Sequence, residues 1–369
     1  MKKTKPIIAH LIYRFDIGGL ERVMVNCINA MKNEEYQHVV IALTEVTDFS
    51  EHLNHSVDVY QLNKQSGKDL MSHWRLFKLL RKIKPDLLHT YNLATIEYHP
   101  ISVFAGVKAH IHAEHGRDNA DPKGLNKKHN LLRRLLSPFI NYFVPVSYDL
   151  FDWLKKVVNI KANKLVLIRN GININEFNRQ RESDDIIKFI HVARLDLVKD
   201  QAGLISAFAH LVKKNNLNKK NVQLTIVGDG AELSRLNVLA NELNIANYIE
   251  FTGARNDIAN LLSNADVFVL SSIAEGIPMT VLEGMASSLP VISTNVGGLP
   301  ELITNNINGY LVDKQNIEQL SLAMENYIKH PQLIIRHGKQ ARCFIEDNFS
   351  EQNMVDQYLT LYKKSLGQG

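Results

Sequence analysis

The stretch that decides the fold is residues 265–283, which read ADVFVLSSIAEGIPMTVLE. Its mostly apolar run from Ala265 to Leu270 predicts a short buried strand. Pro278 is well placed as the first residue of a helix, because proline is favoured at that position. The stretch therefore predicts a strand, a loop and a helix in succession.

Two carboxylates stand in this stretch, one in the loop and one in the helix. Glu275 is predicted at the carboxyl end of the strand, and Glu283 about a turn and a half into the helix. The backbone amides of Ile277, Met279 and Thr280 would then be unpaired donors at a helix N-terminus, which is a ready anion site. Carboxylates that bind hydroxyls, beside amides that bind phosphate, indicate a nucleotide-sugar.

Apolar runs of strand length alternate with helix-period segments along the chain, which is typical of parallel sheets covered on both faces. The sequence therefore predicts an α/β protein with two doubly wound halves. Strands are predicted near Ile7–Ile12, His38–Leu43, Val57–Leu62, Asp86–His89, Ala109–Ala113, Tyr142–Val146, Leu165–Ile168, Ile187–Val192, Gln223–Val227, Tyr248–Phe251, Asp266–Leu270 and Val291–Ser293. After about Ile317 only helices are predicted, the last from about Ser350 to Lys364.

The length of 369 residues favours two domains over one. Between Gly171 and Ile186 the sequence is polar and shows no period, so the boundary is predicted there. We predict one Rossmann-like domain at residues 1–175 and another at residues 180–348. The tail, about 350–369, is predicted to cross back onto the first domain.

Composition places the chain among ordinary globular proteins, with 45% hydrophobic and 22% charged residues. Two cysteines without a C-x-x-C motif fit a reduced, cytoplasmic compartment. The basic, apolar start of the chain is interrupted by His10 and Arg14, so it predicts a strand rather than a signal peptide. No run approaches the roughly 20 apolar residues of a membrane span.

Charge is unevenly divided along the chain. Residues 1–170 hold 25 Lys and Arg against 16 Asp and Glu, a net charge of +9, and the remainder holds 18 against 22, a net charge of −4. The first half is therefore expected to meet an anionic surface. A membrane, an acidic glycan and an anionic acceptor all fit this charge.

One basic segment, residues 123–140, has the pattern of an amphipathic helix. Lys127, Lys128, Arg133 and Arg134 stand beside a stripe of leucines. The pattern favours a helix packed on the core with a solvated basic face, and the alternative is peripheral contact with an anionic inner membrane. The similar segment 74–84 precedes a predicted strand and is interpreted as structural.

Glycines precede two of the predicted helices. Gly18 and Gly19 follow the first strand, where backbone can approach a ligand closely, although a tight turn without a ligand also fits. Gly228 and Gly230 follow a strand and open a helix, but Leu233 stands where a dinucleotide fingerprint has its third glycine. This pattern argues against an NAD-dependent dehydrogenase and leaves open both a plain turn and a phosphate contact.

Two cations are predicted at the entrance to the next helix. Arg194 lies just past the strand Ile187–Val192, and Lys199 lies about five residues further on. Both could point into one cleft and neutralise the charge that develops on a departing diphosphate. Two solvated surface side chains are the alternative.

Three histidines cluster around the predicted strand Ala109–Ala113. His110 and His112 share a face, so a metal site is conceivable if a third ligand converges, although histidines satisfied within the core are commoner. His115 lies past the strand end and before a glycine, where a cleft is expected. There it can exchange hydrogen bonds with reacting hydroxyls.

Several motifs are absent from the sequence. It contains no Asp-x-Asp, so a metal-diphosphate site of that type has no candidate. It contains neither a P-loop nor a Gly-x-Ser-x-Gly nucleophile elbow. Its basic stretches lack the interleaved aromatic residues of a nucleic-acid platform. No metal, cofactor or nucleic acid is therefore expected.

Taken in order, these motifs resemble the family-4 retaining glycosyltransferases, whose GT-B fold consists of two facing Rossmann-like domains. The resemblance covers nearly the whole chain, and the segment with the two glutamates is its most specific part. The matching elements are Gly18-Gly19-Leu20-Glu21, Pro85-Asp86-Leu87-Leu88-His89, Glu114-His115-Gly116, Arg169-Asn170-Gly171-Ile172, Arg194 with Lys199, Gly228-Asp229-Gly230, Phe251-Thr252-Gly253, Glu275 to Glu283, Pro290-Val291-Ile292 and Gly297-Gly298-Leu299-Pro300-Glu301.

The resemblance implies roles for these residues. The first domain would bind the acceptor and the second the nucleotide-sugar donor. Glu283 would accept both ribose hydroxyls, Glu275 would hold the donor sugar, and Arg194 and Lys199 would grip the diphosphate. The other implied site positions are Gly18, Gly19, Asn170, Gly228, the loop from Gly253 to Arg255 under the base, the amides of Gly276, Ile277, Met279 and Thr280, and His115 beside the transferred sugar.

The implied reaction moves a sugar from a nucleoside diphosphate, by default UDP, to an acceptor hydroxyl with retention of configuration. The acceptor would be a saccharide or a lipid-linked molecule in the synthesis of capsule, exopolysaccharide or lipopolysaccharide, at the cytoplasmic face of the inner membrane. Two alternatives share the fold: a UDP-sugar epimerase, and a non-catalytic module of an assembly complex. Pro278 departs from the small residue that many family members have there.

Overall fold

The computed structural model describes residues 5–31, 35–54, 56–118, 121, 123–178 and 186–368. These residues form two compact units. The first unit runs to Gly171 and resumes at Glu351, and the second is Ile172–Ser350. Residues 179–185, in the segment where the domain boundary was predicted, lie outside the described residues.

The first unit contains a parallel sheet whose described strands follow the order β3-β2-β1-β4-β5-β6. This is the doubly wound order of a Rossmann fold, in which the chain reverses its direction of winding between β1 and β4. The strands are β1 Ile7–Ile12, β2 Gln37–Ala42, β3 Asp58–Gln61, β4 Leu87–Tyr91, β5 Ala109–Glu114 and β6 Tyr142–Pro145.

The second unit repeats the same arrangement. Its described strands follow the order β12-β11-β10-β7-β8-β9, so the winding reverses between β7 and β10. The strands are β7 Ile187–Val192, β8 Val222–Val227, β9 Ile249–Gly253, β10 Val267–Leu270, β11 Val291–Thr294 and β12 Gly309–Val312. The fold class is therefore the predicted one, with a doubly wound parallel sheet in each unit.

Helices connect the strands in both units. Those of the first unit are α1 Gly19–Ala30, α2 Leu70–Ile83, α3 Leu93–Ile96, α4 His99–Phe104, α5 Lys127–Leu136, α6 Tyr148–Trp153 and, at the end of the chain, α13 Glu351–Ser365. Those of the second unit are α7 Gln201–Lys214, α8 Leu233–Glu242, α9 Ile258–Ser263, α10 Met279–Ala286, α11 Ile317–Lys329 and α12 Gln332–Asn348.

The central strands are buried along their whole length. Every residue of β4, β5, β10 and β11 is buried. Burial on both faces explains why β10, VFVL, reads as a continuous apolar run rather than an alternating one. The terminal helix α13 packs against α1, so the predicted return of the tail to the first unit is confirmed. In the part of the chain that the structure describes, no helix combines the length and hydropathy of a membrane-spanning segment.

Two strand assignments from the sequence were wrong. Segment 165–168 forms no strand: it donates two hydrogen bonds to β6 but makes a single bridge pair, between Leu165 and Phe143. Strand β12 was missed because it is a half-buried edge strand that begins with a glycine. Its first residue, Gly309, lies so close to β11 that a Cβ there would collide with the carbonyl of Val291.

Candidate functional site

The winding reversal of the second unit places two loops side by side at the carboxyl ends of β7 and β10. Open α/β sheets bind ligands in the crevice at such a point. The first loop contains Arg194 and Lys199, and the second contains Glu275. These predicted site residues therefore share one edge of the sheet.

Lys199 and Glu275 form an ion pair at this edge. The Lys199 Nζ atom lies 2.6 Å from Glu275 Oε1, and the Ser272 hydroxyl donates to the same oxygen at 2.6 Å. The Glu275 side chain is 7% exposed and that of Lys199 is 20% exposed. A cation and a carboxylate thus stand together in a shielded position, where each is oriented before any substrate arrives.

Backbone contacts hold the two loops together. The Ser271 hydroxyl donates to the carbonyls of Lys199 and Asp200, both at 2.9 Å. The Ile273 amide donates to the carbonyl of Val198 at 2.7 Å. The position of Lys199 relative to Glu275 is therefore fixed by main-chain bonds as well as by the ion pair.

The segment 294–298, at the end of β11 and after it, also contacts the Glu275 loop. Gly297 adopts a positive φ of 57°, and a Cβ on this residue would collide with the Glu275 carbonyl. The Gly298 amide donates to the carbonyl of Gly276 at 3.0 Å. The Thr294 hydroxyl donates to the Ser272 carbonyl at 2.6 Å. The glycines allow this close approach of two backbones.

Helix α10 follows the Glu275 loop and begins at Met279, with Pro278 as its N-cap rather than its first residue. The amides of Met279 and Thr280 lie in the first turn, whereas Ile277 precedes the cap and takes part in an interaction of its own. Glu283 is 3% exposed. A buried carboxylate of this kind needs partners, which makes it a residue of specific function or specific packing.

The glycines after β8 are explained by packing. Gly228 and Gly230 have φ values of 136° and 157°, and a Cβ on either would collide with a backbone carbonyl, that of Ala193 or of Leu195. The Leu195 amide also donates to the Asp229 carbonyl at 2.9 Å. These glycines therefore support the Arg194 loop.

Two arginines of the second unit, Arg194 and Arg255, were predicted as site residues. Their side chains are more exposed than that of Lys199. The Arg194 side chain is 69% exposed, and its Nε donates to Asp196 at 3.2 Å. Arg255 donates twice to Asp257, at 2.8 and 2.7 Å. Lys199 is therefore paired directly with Glu275, whereas Arg194 and Arg255 are each paired with a neighbouring aspartate.

The buried histidine beneath the Arg194 loop was not predicted from the sequence to support the site. His191 is fully buried, its Nδ1 lies 2.9 Å from the Val269 carbonyl, and its Nε2 lies 3.3 Å from the Gln201 amide nitrogen. That nitrogen donates to the carbonyl of Arg194 at 2.9 Å. Burial lowers the pKa of His191 to about 4, so its ring is neutral at neutral pH.

In the first unit, His115 follows β5, as predicted. Its amide is held by the Asn92 side chain at 2.8 Å, and its ring lies against Tyr91. Both ring nitrogens are shielded from solvent and have no hydrogen-bond partner among the described residues. Burial lowers its pKa to about 4, so the ring is neutral and can donate one hydrogen bond and accept another.

The other two histidines of that cluster have core roles. The His110 ring nitrogens lie 3.0 Å from His99 Nδ1 and 3.2 Å from the Val107 carbonyl. The His112 ring nitrogens lie 2.6 Å from the Thr90 hydroxyl and 3.2 Å from Glu114. Each ring nitrogen is therefore engaged by protein. Within the described residues no group of three His, Cys, Asp or Glu could hold a metal.

Arg133 was predicted to lie on the basic surface of its helix, and this prediction was wrong. It is 2% exposed, and its Nε donates to the buried Glu114 carboxylate at 2.6 Å. Burial raises the pKa of Glu114, but the charge of Arg133 and hydrogen bonds from His112 and Arg133 outweigh it and hold the pKa at about 2. Arg133 therefore points inward, whereas Lys127, Lys128 and Arg134 are exposed.

The remaining predicted positions of the first unit are Gly18, Gly19 and Asn170. Gly18 is the extended N-cap of α1, Gly19 is the first residue of that helix, and a Cβ on Gly18 would meet the Glu21 carboxylate. Asn170 is 4% exposed. In the second unit, Gly253 ends β9 with a φ of 70°, and a Cβ there would meet open space.

Two family profiles match the chain and together span most of it. The family described as Glycosyltransferase Family 4 matches residues 17–176, and the one described as Glycosyl transferases group 1 matches residues 173–344. The chain belongs to the family-4 glycosyltransferases. The predicted family and the predicted class of enzyme are confirmed.

Two relatives and one solved structure resemble this glycosyltransferase over nearly its whole length. The UDP-Gal:alpha-D-GlcNAc-diphosphoundecaprenol alpha-1,3-galactosyltransferase of Escherichia coli is 27% identical over 98% of both chains. The lipopolysaccharide core biosynthesis glycosyltransferase LpsD of Rhizobium meliloti is 23% identical over 95% of this chain and 96% of its own. The crystal structure of Anabaena Alr3699/HepE in complex with UDP and glucose has a TM-score of 0.82 at 19% identity, covering 96% and 99% of the two chains. The shared fold confirms the predicted GT-B class.

Several residues that support the site of the glycosyltransferase were not predicted from the sequence. They are the supporting residues Ser271, Ser272, Thr294, His191 and Gln201. A signal was present for the two serines, because they form a polar pair directly after a buried strand, at the position where parallel sheets place ligands.

The buried neutral histidines predict acid sensitivity of this glycosyltransferase. His38, His115 and His191 have ordinary pKa values of 6.5, and burial lowers each to about 4. Between these values the unfolded chain binds more protons than the folded chain, so the free energy of unfolding falls as the pH falls from about 6.5 to about 4. Urea midpoints measured across this range should fall steadily.

A control separates the histidines from the carboxylates. Glu114, whose pKa is about 2, loses its contribution only as the pH falls below its ordinary value of 4.5, so it acts in a lower window. A His38→Gln variant, with one titrating group fewer, should show a shallower fall between about pH 6.5 and about pH 4.5. A urea midpoint that is constant over this interval would contradict the prediction.

Proposed function

We propose that this glycosyltransferase moves a sugar from UDP to a hydroxyl of a lipid-linked saccharide, with retention of configuration, in the synthesis of a bacterial surface polysaccharide. The observation that supports it most is the shielded Lys199–Glu275 pair at the winding reversal of the second unit. A fixed cation is suited to a diphosphate leaving group, and a fixed carboxylate to sugar hydroxyls.

The roles follow from charge and position. Lys199 stabilises the negative charge that grows on the departing diphosphate, with help from Arg194 and the amides at the start of α10. Glu275 accepts hydrogen bonds from the donor sugar, and Glu283 accepts them from the ribose hydroxyls. Each hydrogen bond to such an ionised group contributes roughly 1.5–3 kcal/mol. His115, neutral at neutral pH, exchanges hydrogen bonds with the sugar or the acceptor.

The relatives support the choice of nucleotide and acceptor. The E. coli relative carries UDP-Gal and a diphosphoundecaprenol acceptor in its name, and the structural neighbour HepE was crystallised with UDP and glucose. We therefore take UDP as the nucleotide and a lipid diphosphate saccharide as the acceptor, used at the cytoplasmic face of the inner membrane. No metal enters the proposed reaction, because the charge on the diphosphate is met by Lys199 and Arg194.

The function is tested with a panel of UDP- and GDP-sugars, each incubated with and without a mixture of lipid diphosphate saccharides. We expect UDP release that depends on the acceptor, together with an elongated lipid of retained configuration. Release of UDP and an altered sugar without an acceptor would instead identify an epimerase. A chain that shows no turnover with any donor would be a non-catalytic module.

Binding of UDP provides a prediction about Glu283. UDP should raise the melting temperature of the wild-type protein, because it binds the folded state alone. Glu283→Gln should abolish most of this shift, since the amide is a weaker acceptor for the two ribose hydroxyls than the carboxylate. The measurement is differential scanning fluorimetry with and without UDP.

The matched control is Glu325→Gln, which also replaces a buried glutamate of the second unit. Glu325 is 2% exposed and pairs with Lys214 and Lys329 on the helices α7 and α11. This variant should melt earlier than the wild type yet keep its UDP shift. A UDP shift of normal size in Glu283→Gln would remove Glu283 from the ribose site.

A further inference from the structure

A row of histidine and tyrosine rings crosses one side of the first sheet, beneath α1 and α13. His10 pairs with His89, and the register of β1, β2 and β4 places His38 and Tyr91 on the same side. All four side chains are buried. The ring of Tyr91 lies 5.8 Å from that of His115, measured between ring centres. The proposed site residue His115 is therefore the last member of a buried polar row.

Hydrogen bonds join the rings of this row. His38 Nδ1 lies 3.0 Å from His10 Nε2, and His10 Nδ1 lies 2.8 Å from the Tyr91 hydroxyl. The Tyr91 hydroxyl lies 3.2 Å from His89 Nδ1, and the Tyr362 hydroxyl of α13 lies 2.9 Å from the same nitrogen. Burial lowers the pKa of all three histidines, so their rings are neutral at neutral pH. A neutral ring donates at one nitrogen and accepts at the other.

The tautomer of His89 follows from its contact with Tyr362. The Tyr362 hydroxyl is buried, and within the described part of the chain its one hydrogen bond is to His89 Nδ1. If Nδ1 carried the hydrogen of the ring, the hydrogen of Tyr362 would be left without an acceptor in the core, which is disfavoured. Nδ1 therefore accepts, and Nε2 of His89 carries the hydrogen and is a donor.

His89 and His115 line the same small cavity, which is covered by Met24 and Cys27 of α1 and by Tyr358 of α13. Its volume is about 10 Å³, close to the space that one water molecule needs. His89 Nε2 and both ring nitrogens of His115 are shielded from solvent, and no described residue forms a hydrogen bond with them. A cavity that is lined by such polar atoms is suited to a water molecule rather than to an apolar group.

We propose that this cavity binds one water molecule, which accepts a hydrogen bond from His89 Nε2 and donates one to a ring nitrogen of His115. The nitrogen that receives this bond carries no hydrogen, so the other nitrogen of His115 carries it. His89 is thus a positioning residue that fixes the tautomer in which His115 donates a hydrogen bond to the sugar or the acceptor. The inference rests on the proposed function for the place of His115 beside the reacting groups.

The tautomers are measured by nitrogen nuclear magnetic resonance on protein that contains isotope-labelled histidine. Ring nitrogens with and without a hydrogen have different chemical shifts, and variants that lack one histidine assign the signals. In the wild-type protein we expect His89 with its hydrogen on Nε2, and His115 neutral and in a single tautomer. A hydrogen on His89 Nδ1, or His115 signals averaged between both tautomers, would overturn the proposal.

Two substitutions of His89 separate control of the tautomer from packing. Glutamine places its amide group near the position of Nε2, whereas asparagine places it near the position of Nδ1. His89→Gln should therefore still donate to the water and keep a turnover number within about threefold of the wild type. His89→Asn should lower the turnover number about tenfold, the effect of one lost hydrogen bond, and should give His115 signals of both tautomers. Neither variant should change the UDP-induced melting shift.

Two further variants cover the case in which substitutions of His89 destabilise the core. Tyr362→Phe keeps the ring but removes the hydroxyl that fixes His89, so His115 should again show both tautomers. His110→Asn is the matched control. His110 pairs with Leu88, which is next to His89 along β4, so it projects from the opposite side of the sheet. This control should melt earlier, yet its turnover number and its His115 signals should be those of the wild type.

Equal turnover numbers of His89→Gln and His89→Asn, with unchanged His115 signals in both, would show that His89 has a packing role alone. The resonance signals do not depend on activity, so they separate this inference from the proposed function. A single His115 tautomer that His89→Asn abolishes, in a protein without any UDP shift or turnover, would sink the proposed function alone. Sugar transfer by a protein whose His115 signals ignore both His89 variants would sink this inference alone.

Discussion

Lys199→Met should lower the turnover number of sugar transfer roughly 100- to 1000-fold. The substitution removes the cation whose Nζ lies 2.6 Å from Glu275 and which we place beside the leaving diphosphate. A preorganised charge of this kind acts chiefly in the transition state, so the turnover number should fall more than the Michaelis constant changes. The measurement is steady-state kinetics with the donor found in the UDP-sugar panel.

The same substitution also affects folding, and two variants separate the two effects. It leaves Glu275 with the Ser272 hydroxyl but without its cation, which should cost about 1–3 kcal/mol of stability. Lys199→Met with Glu275→Gln should recover most of this stability and none of the turnover. Lys214→Met, which breaks another lysine–glutamate pair of 2.9 Å in the same unit, should leave turnover unchanged. A turnover number of Lys199→Met within threefold of the wild type would remove Lys199 from catalysis.

Gly297→Ala should reduce activity about 100-fold while the protein remains folded. Gly297 makes no contact with substrate in the proposed mechanism. Its added methyl group would collide with the Glu275 carbonyl, and a main-chain oxygen cannot move without moving its own residue. The Glu275 carboxylate would therefore be displaced from Lys199 and Ser272. Displacements of about 1 Å at a reacting centre commonly have effects of this size.

The matched control for this prediction is Gly67→Ala. Gly67 also has a positive φ, of 78°, but a Cβ there would have no neighbour within 4 Å. Both variants place alanine in the left-handed region, so both lose about 1–2 kcal/mol of stability for that reason. Only Gly297→Ala should lose activity beyond what its melting temperature explains. Equal activity of the two variants would show that the Glu275 loop tolerates displacement.

The strands were predictable from the sequence because parallel strands buried on both faces read as unbroken apolar runs. Such a run marks β10, VFVL, and the loop that follows it contains Glu275. The edge strand β12 is half buried and begins with a glycine, so only three apolar residues mark it. Its position depends on how Gly309 meets β11, which is a tertiary contact.

Apart from Ser271 and Ser272, the supporting residues of the site could not be inferred from the sequence, because their roles depend on tertiary contacts. Gly297 is 22 residues from Glu275 in the sequence. It matters because a side chain at this position would collide with the Glu275 carbonyl. Arg133 belongs by spacing to a row of basic residues on α5. Its partner Glu114 stands 19 residues away on β5, and no periodicity indicates that distance. Sequence pattern places a residue on an element, and packing decides which way its side chain faces and what it contacts.

The buried Glu114–Arg133 pair also fixes the rotation of α5 about its own axis. A turn of the helix by one residue, about 100°, would carry the Arg133 guanidinium away from Glu114 and leave two charges unpaired in the core. The alternative rotations are therefore disfavoured by several kcal/mol. One inward-facing ion pair thus selects which residues of the helix point outward, and the outward row of Lys128, Leu131 and Leu135 is the result.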